Sequence, residues 1–256
     1  MFTLVAYDDA RAAAVAALAP LLPAPDQHVT IDGLNIVVPE GLPNVIGVYV
    51  AHGDAAIGGA PLLAELQSPA LRALFQHDLD KMHDTIVPIV EPLLNIHPES
   101  PIPLDKGEGL QAWMANGVLA AARGMVGVLL SDGPQAPVKG PIQTIRFTTV
   151  TPVVADVWSL GVLTVIQPLP TGKYQVVGVR CVSADVGLFR LIFTDGKWRP
   201  GGVITTAVAL PDIEAQRHGN LGVWGEFDSR TLPRLEILSI LAVANPDIYL
   251  DLIKVG

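Results

Sequence analysis

The amino-acid sequence predicts a mainly β protein, α+β overall, with an antiparallel β-sandwich or barrel in its second part. Beyond residue 140, runs of β-branched and aromatic residues recur at roughly 8–12-residue spacing between turn residues, which is typical of sandwiches and barrels. Before residue 140, helix-like and strand-like patterns alternate. We therefore expect residues 1–140 to form a mixed helix and strand region, either a second barrel or an inserted lobe. Residues 141–256 are expected to form the antiparallel β-sandwich.

The first elements of the chain are predicted as one helix and two strand regions. Asp8 can cap an alanine-rich run, which predicts a short helix that ends near Pro20. Residues 29–38 alternate and contain Asp32-Gly33, which predicts a strand or a hairpin. Residues 44–51 are rich in β-branched side chains and predict a buried strand.

Two further helices are predicted in the first part. Ser68 and Pro69 suit a helix start, and apolar residues then recur at helical spacing. This stripe comprises Leu71, Leu74, Phe75, Leu79 and Met82. Residues 108–123 predict another helix with Leu110, Trp113, Met114, Gly117 and Ala121 on one face. Prolines between residues 88 and 103 predict an extended connection, and residues 126–130 predict a strand.

The second part of the chain is predicted to consist of β-strands and turns. Residues 143–150 alternate, which directs Ile145 and Phe147 inward and Arg146 and Thr148 outward. The other predicted strands are residues 157–166, 174–182, 188–193, 203–210, 222–227, 235–243 and 248–255. Pro170-Thr171-Gly172 and Asp195-Gly196 each predict a hairpin between the strands on either side.

Composition limits the classes of function. Charged residues make up 16% and hydrophobic residues 50% of the chain, whereas ordinary soluble domains have roughly 25% charged residues. Such a chain buries an unusual share of itself or covers surface against copies or partners. The net charge of −9, with no run of Lys or Arg, argues against nucleic-acid binding, because phosphate neutralisation needs clustered cations.

Compartment and cofactors are constrained by a few residues. Cys181 is the sole cysteine, which excludes an intrachain disulfide and a cysteine-based metal site. Asp8 and Asp9 stand where a secretory signal needs positive charge, so no such signal is expected. The longest uncharged stretch, residues 157–172, contains glycine and prolines and is shorter than a bilayer-spanning helix, so no transmembrane segment is expected. No cofactor motif is present, and none is predicted.

One group of polar residues resembles a metal site. His77, Asp80, Lys81 and Asp84 would share one face of the second predicted helix. That face lies opposite the apolar stripe, so a solvated helix face explains the pattern, and Lys81 would disfavour a cation. We predict no metal site here.

Two further groups could take part in catalysis. His52 and Asp54 follow a predicted strand, but neither a nucleophile motif nor a phosphate-binding motif accompanies them. Glu214, Arg217 and His218 lie in a polar loop, where such residues usually face water. We predict a turn and a solvated loop, and we expect no enzymatic activity.

Arginine and tryptophan residues within the β-rich part are the candidate interface residues. Arg190 lies in an apolar strand, and Trp198 and Arg199 precede a Pro-Gly corner. Arginine beside aromatic residues often anchors an interface or a buried ion pair. Trp158 and Trp224 fall in the same part, and core filling is the alternative role for all five.

Residues 143–255 resemble a known family. The segments WSLGVLTVIQPLPTGKYQVVGVRCVSADVGLFRLIFTDGKWRPGG, GNLGVWGEF and NPDIYLDLI are similar to the jelly-roll coat proteins of tailless icosahedral viruses. The resemblance implies a jelly-roll fold and a capsid subunit that self-assembles into a symmetric shell. It also implies a virion location after assembly in the host cytoplasm, with copies of itself and other virion proteins as partners.

Two other functions remain as alternatives. The first is an α/β or metal-dependent hydrolase that uses His52 or the predicted helix with His77 and Asp84. The second is a carbohydrate-binding β-sandwich module whose tryptophans stack on a sugar. A deep pocket with convergent titratable groups favours the enzyme, and exposed tryptophan faces favour the binding module.

Overall fold

The structure, a computed structural model, describes most of the chain. The described residues are 1–11, 15–53, 63–68, 72–78, 93–116, 122–150, 154, 157–183, 187–194, 196–205, 220–239 and 246–256. Within these ranges every extended regular element is a β-strand, so the prediction of a mainly β fold is confirmed. No helix among them is long and apolar enough to cross a membrane.

Eleven strands of the described residues form two sheets in the first part. They are β1 (Phe2–Arg11), β2 (Val15–Pro20), β3 (Ile31–Asp32), β4 (Asn35–Val37), β5 (Asn44–Gly53), β6 (Leu63–Ser68), β7 (Arg72–Asp78), β8 (Leu93–Ile96), β9 (Ile102–Pro103), β10 (Gly109–Asn116) and β11 (Ala122–Ser131). One sheet has the strand order β1-β11-β5-β8, and β9 also pairs with β5. The other sheet has the strand order β3-β4-β10-β6-β7, and β2 also pairs with β10. A core that includes Val5, Val48, Leu66, Leu110 and Val128 contains residues of both sheets.

Eight strands form the second part. They are β12 (Gln143–Val150), β13 (Ser159–Val165), β14 (Lys173–Val182), β15 (Gly187–Ile192), β16 (Gly201–Thr205), β17 (Gly225–Asp228), β18 (Arg234–Ser239) and β19 (Asp247–Lys254). Their order is β16-β15-β18-β13-β12-β19-β14-β17, and a parallel pairing of β14 with β16 closes seven of them into a barrel.

The same strand order occurs in both parts. The strands of each part can be numbered 1 to 8 along the chain, with β2–β4 counted together as strand 2 of the first part. One sheet of the first part then has the strand order 1-8-3-6 and the other has 2-7-4-5. Numbered in the same way, β12-β19-β14-β17 of the second part is 1-8-3-6 and β13-β18-β15-β16 is 2-7-4-5. Eight strands in this arrangement make a jelly roll. We refer to residues 2–131 as the N-terminal jelly roll and to residues 143–254 as the C-terminal jelly roll.

The sheet β1-β11-β5-β8 packs on both of its faces. Alternate residues of β1 belong to two different cores: Val5 to the core of the N-terminal jelly roll, and Leu4 to a core that contains the C-terminal jelly roll. Gly127 of β11 brings the backbone close to Leu188, whose methyl carbons lie 3.1 Å from the position of a Cβ on that glycine. The two jelly rolls therefore share one apolar junction.

The three predicted helices are wrong where the structure describes them. The alanine-rich run enters β2, the stripe after Ser68 enters β7, and residues 109–116 form β10. Leu110, Ala112 and Met114 of β10 point into the core, so the burial period is two and not the helical 3.6. The mixed helix and strand character predicted for residues 1–140 is not seen.

In the second part, the predicted alternation of β12 and one predicted hairpin are confirmed, and the other predicted hairpin is wrong. Phe147 is buried and Arg146 pairs with Asp247 at the surface, as the alternation of β12 predicts. Strands β15 and β16 form the predicted hairpin around Gly196. Strands β13 and β14, on either side of Gly172, do not pair with each other, because in a jelly roll these consecutive strands belong to opposite sheets.

Candidate interface residues at the junction of the two jelly rolls

A cluster of four charged side chains lies at the junction. Arg190 of β15 is 2% exposed, and its guanidinium pairs with Asp26 and with Glu236 of β18, at 2.8 Å for the latter pair. Arg199 pairs with the other carboxylate oxygen of Glu236. Asp26 is 4% exposed, so two positive and two negative charges neutralise one another away from water.

Hydrogen bonds also join Arg190 and Arg199 to β1. The amide of Leu4 donates to the carbonyl of Arg199 at 2.9 Å. The amide of Arg199 donates to the Thr3 hydroxyl at 3.1 Å. Arg190 also donates to the carbonyl of Leu4 at 3.4 Å. The edge of β1 is thereby held by the segment that leads into β16.

Trp224 lies in an aromatic stack across the junction. Its ring is parallel to that of Phe189, with centroids 6.0 Å apart. Phe2, from the first strand of the N-terminal jelly roll, meets it edge-on at 5.1 Å. Trp224 is 5% exposed, so its ring contributes to the packing of the two jelly rolls on each other.

Trp158 contacts the charged cluster directly, and Trp198 is next to one of its members in the chain. The guanidinium carbon of Arg190 lies 3.9 Å from the centre of the Trp158 ring, which is a cation–π contact. Trp198 precedes Arg199 in the chain but packs against the core of the N-terminal jelly roll, with Gly41 close to its ring. All five predicted interface residues therefore lie at the junction within one chain, and their role between copies stays a prediction.

Two residues of this cluster were missed from the sequence. Asp26 lies in a connection with no distinctive pattern. Glu236, in contrast, is a carboxylate within the apolar strand β18, which is the same signal that singles out Arg190. A search for all charges within apolar strands, and not for cations alone, would have found the partner.

The other candidates are distributed elsewhere. His52 lies in β5 opposite Gly124, and Asp54 lies outside the described residues. His77 lies in β7 opposite Ala64 and not on a helix, while Asp80, Lys81, Asp84, Glu214, Arg217 and His218 lie outside the described residues. Among the side chains that the structure describes, no three His, Cys, Asp or Glu residues lie close enough together to hold a metal.

The surroundings of His28, Tyr49 and Cys181 shift the pKa of these side chains. Burial and the neighbouring Arg199 guanidinium lower the pKa of His28, which is close to the charged cluster. Burial raises the pKa of the Tyr49 hydroxyl, and this buried oxygen has no hydrogen-bond partner. Burial raises the pKa of the Cys181 thiol, which is fully enclosed in the core. The thiol is thus neutral and enclosed, as expected for a small core residue.

Exposed apolar side chains are concentrated on β13 and on the residues just before and after it. Among the described residues eight large hydrophobic side chains are exposed, and five of them lie between residues 154 and 166. These five are Val154, Val157, Leu160, Val162 and Ile166, and we call them the β13 row. Burial alternates along β13, so Leu160 and Val162 occupy the outer face of the sheet.

A polar cleft is lined by residues of both jelly rolls. It has a volume of about 440 Å³, and its lining includes His97, Glu99 and Ser100 of the N-terminal jelly roll and Asn220 of the C-terminal jelly roll. His97 and Glu99 are exposed.

Comparison with protein-family models and with curated sequences gives no relative. No protein-family model matches the chain, and no curated protein sequence is similar to it. The functional interpretation therefore depends on the geometry of the two jelly rolls and of their junction.

Proposed function

We propose that the protein is a structural subunit that self-associates into a symmetric shell, as a capsid subunit does, and that performs no chemistry. The observation that carries the proposal is the junction, where Asp26 of the N-terminal jelly roll pairs with Arg190 of the C-terminal jelly roll. Within the C-terminal jelly roll, Glu236 pairs with both Arg190 and Arg199. Jelly rolls occur in capsid proteins and in lectins, so the fold alone supports both classes.

A fixed junction has a direct use in a shell. Each subunit of a closed assembly must present its contacts at a set angle, because an angular error is repeated at every symmetry-related contact. Buried charged groups are expensive to misplace, since a small rotation separates ions that have no water to replace the lost partner. The junction cluster is therefore better suited to defining an orientation than an apolar contact alone would be.

Surface chemistry supports the same proposal. Charged residues are only 16% of the chain, and exposed apolar side chains are concentrated in the β13 row instead of being scattered. Single exposed apolar residues are normal on a soluble protein, whereas concentrated ones mark an interaction site. A subunit that is covered by its neighbours has this surface.

The tryptophans give less support to carbohydrate binding. A sugar needs an open indole face, but Trp224 is buried between Phe2 and Phe189 and one face of Trp158 is occupied by Arg190. Both rings have roles within the chain. We therefore favour the shell subunit over the binding module.

The test is the mass of the purified protein in solution. We expect light scattering across a range of concentration and salt to show oligomers of defined size, and negative-stain images to show regular particles or rings. A monomer under all these conditions would contradict the proposal. Binding of a sugar with quenching of tryptophan fluorescence would instead favour the lectin-like alternative.

A further inference from the structure

The two jelly rolls are stacked through one sheet of each. Leu188 of β15 approaches Gly127 of β11, and Gly201 of β16 lies against Leu4 of β1. The sheet β1-β11-β5-β8, of strand order 1-8-3-6, therefore packs on the sheet β13-β18-β15-β16, of strand order 2-7-4-5. The remaining sheet of each jelly roll turns its outer face away from the junction. One of these two outer faces thus belongs to a 2-7-4-5 sheet and the other to a 1-8-3-6 sheet.

The outer face of the C-terminal sheet β12-β19-β14-β17 carries an arginine without a partner. Arg180 of β14, Tyr249 of β19 and Arg146 of β12 form one row across three strands. Arg146 pairs with Asp247, whereas the partly buried Arg180 has no ion-pair or hydrogen-bond partner among the described residues. A guanidinium has five N–H donors, and withdrawing it from water is costly when no acceptor replaces the water. A carboxylate from outside the chain would complete this row.

The outer face of the N-terminal sheet β3-β4-β10-β6-β7 carries the opposite charge. Ala112 and Met114 of β10 point into the core, so Trp113 between them points outward, and Glu65 of β6 is directly opposite it. Glu65 is 9% exposed, and its carboxylate accepts from the Gln67 amide at 2.7 Å but pairs with no cation among the described side chains. The buried indole N–H of Trp113 has no acceptor either. This face therefore lacks a cation, as the other lacks a carboxylate.

Both outer faces can receive another protein surface. Gln67 and Trp113 on one face, and Thr148 and Tyr249 on the other, are partly exposed. Strands β12, β14 and β19 have eight to ten residues. Four such strands, about 4.8 Å apart and about 27 Å long, give roughly 500 Å² per face, or roughly 1,000 Å² for two faces in contact. This area reaches the lower limit for a specific protein–protein contact.

We infer that copies of this chain stack head to tail, with the C-terminal outer face of one copy on the N-terminal outer face of the next. The Arg180 guanidinium of one copy then pairs with the Glu65 carboxylate of the next and lies against its Trp113 ring, an arrangement that suits arginine better than lysine. The inference rests on the proposed function, because it names the two surfaces through which the copies of a shell subunit associate.

The head-to-tail contact repeats the junction within the chain in two respects. It again packs a 1-8-3-6 sheet on a 2-7-4-5 sheet. It also places a guanidinium between a carboxylate and an indole, as Arg190 lies between Asp26 and the ring of Trp158 at the junction. Because the two outer faces differ, the contact is heterologous, and heterologous contacts generate rings or open filaments.

Exchange of the two charges tests the contact. We expect sedimentation of Arg180→Glu, and of Glu65→Arg, to give an association constant at least about tenfold below that of the wild type, because like charges then meet. An equimolar mixture of the two variants should associate as the wild type does, since every contact between unlike copies again joins an arginine to a glutamate. Arg234→Glu and Glu40→Arg are the matched controls, because they make the same charge changes at exposed positions outside both faces.

A second variant covers the case in which Glu65→Arg does not fold. Glu65→Gln keeps the size of the side chain and its ability to accept from Gln67, but it removes the counter-ion of Arg180. We expect its association to be several-fold weaker than that of the wild type at low salt. The difference should shrink as the salt concentration rises, because salt screens the wild-type pair.

The outcomes separate the inference from the proposed function. Arg180→Glu and Glu65→Gln variants that associate like the wild type overturn the inference and leave the shell subunit intact. Association that is lost in both charge-reversal variants and is not restored by mixing them also overturns the inference. Restoration by mixing, with rods or rings but no closed particles in negative stain, supports the inference and contradicts the shell. A wild-type monomer at every concentration overturns both.

Discussion

At the scale of single residues, Arg190 is the centre of the junction. It contacts Asp26, Glu236, the carbonyl of Leu4 and the ring of Trp158. Burying four charges is costly, and an apolar replacement of the whole set can be equally stable. The value of the cluster lies in its geometry, because Arg190 must face both Asp26 and Glu236 while Glu236 also faces Arg199.

Removal of Arg190 alone should therefore be severe. Arg190→Met keeps much of the side-chain length but leaves the Asp26 carboxylate buried without a cation, which we expect to lower the free energy of unfolding by about 3–5 kcal/mol. The double variant Arg190→Met/Asp26→Asn should recover much of this loss, since Glu236 still pairs with Arg199. Denaturant unfolding measures both.

A matched control is available at the surface. Arg146 pairs with Asp247, and 43% of the Arg146 side chain is exposed, so Arg146→Met should change stability little because water replaces the lost partner. Equal losses in Arg190→Met and Arg146→Met would contradict the interpretation of the junction cluster as a buried network.

His28 adds a pH dependence to the same region. Its pKa is lower in the folded protein than the ordinary value of about 6.5. As the pH falls below 6.5, the unfolded chain takes up a proton at His28 before the folded chain does, so His28 lowers stability at acid pH and not at pH 8. When the pH is lowered from 8 to 5.5, we expect the melting temperature of His28→Gln to fall by less than that of the wild type. An identical loss in the two proteins would exclude His28 as a contributor.

At the scale of elements, two sequence patterns identified strands correctly. β12 and β13 alternate between buried and exposed residues, and period two is the pattern by which a strand with one exposed face is recognised. Residues 44–51 and 126–130 are apolar, β-branched runs without alternation, and they form parts of β5 and β11, which are buried on both faces. β1 is also buried on both faces, and its sequence was not predicted as a strand. In β10, Leu110, Trp113 and Met114 also fit a helical spacing, and only the pairing with β6 distinguishes the two.

The charged cluster is only partly visible in the sequence. Arg190 and Glu236 are conspicuous as charges within the apolar strands β15 and β18. Asp26 is brought to them by tertiary contacts of a connection, which no local pattern encodes. The burial of Arg190 and Trp224 follows from the stacking of two jelly rolls, a property of the whole chain.

Close approach of strands at the junction depends on Gly201 of β16. A Cβ at this position would overlap the carbonyl oxygen of Phe189 and lie 2.7 Å from Leu4. Because the first of these atoms is backbone, side-chain adjustment cannot relieve the overlap, and Gly201→Ala should cost about 1–3 kcal/mol. Gly41→Ala is the control, since its Cβ would meet only a ring atom of Trp198 at 3.3 Å. Calorimetry that gives equal melting temperatures for the two variants would contradict the close packing of β1 on β15 and β16.

At the scale of the whole molecule, the two jelly rolls share one core. The cluster that fills the C-terminal barrel with Phe147 and Leu250 also includes Phe2 and Leu129 of the N-terminal sheet. Contacts that cross between units within one cluster couple their unfolding, because neither unit can keep its packing when the other is lost. A large apolar junction of this kind also opposes relative motion of the units.

The strength of this junction can be tested by cutting the chain between the jelly rolls. Lys139 and Gly140 are exposed and lie in the connection between β11 and β12, so a protease site inserted between them should be cut without disturbing either sheet. We expect the two fragments to elute together in size exclusion at neutral pH, because the core with Phe2 and Trp224 and the ion pair between Asp26 and Arg190 still hold them. Arg190→Met in the same background should release the fragments at a lower denaturant concentration. Fragments that separate without denaturant would show that the covalent connection, and not the junction, holds the jelly rolls together, which would also remove the main support for a rigid shell subunit.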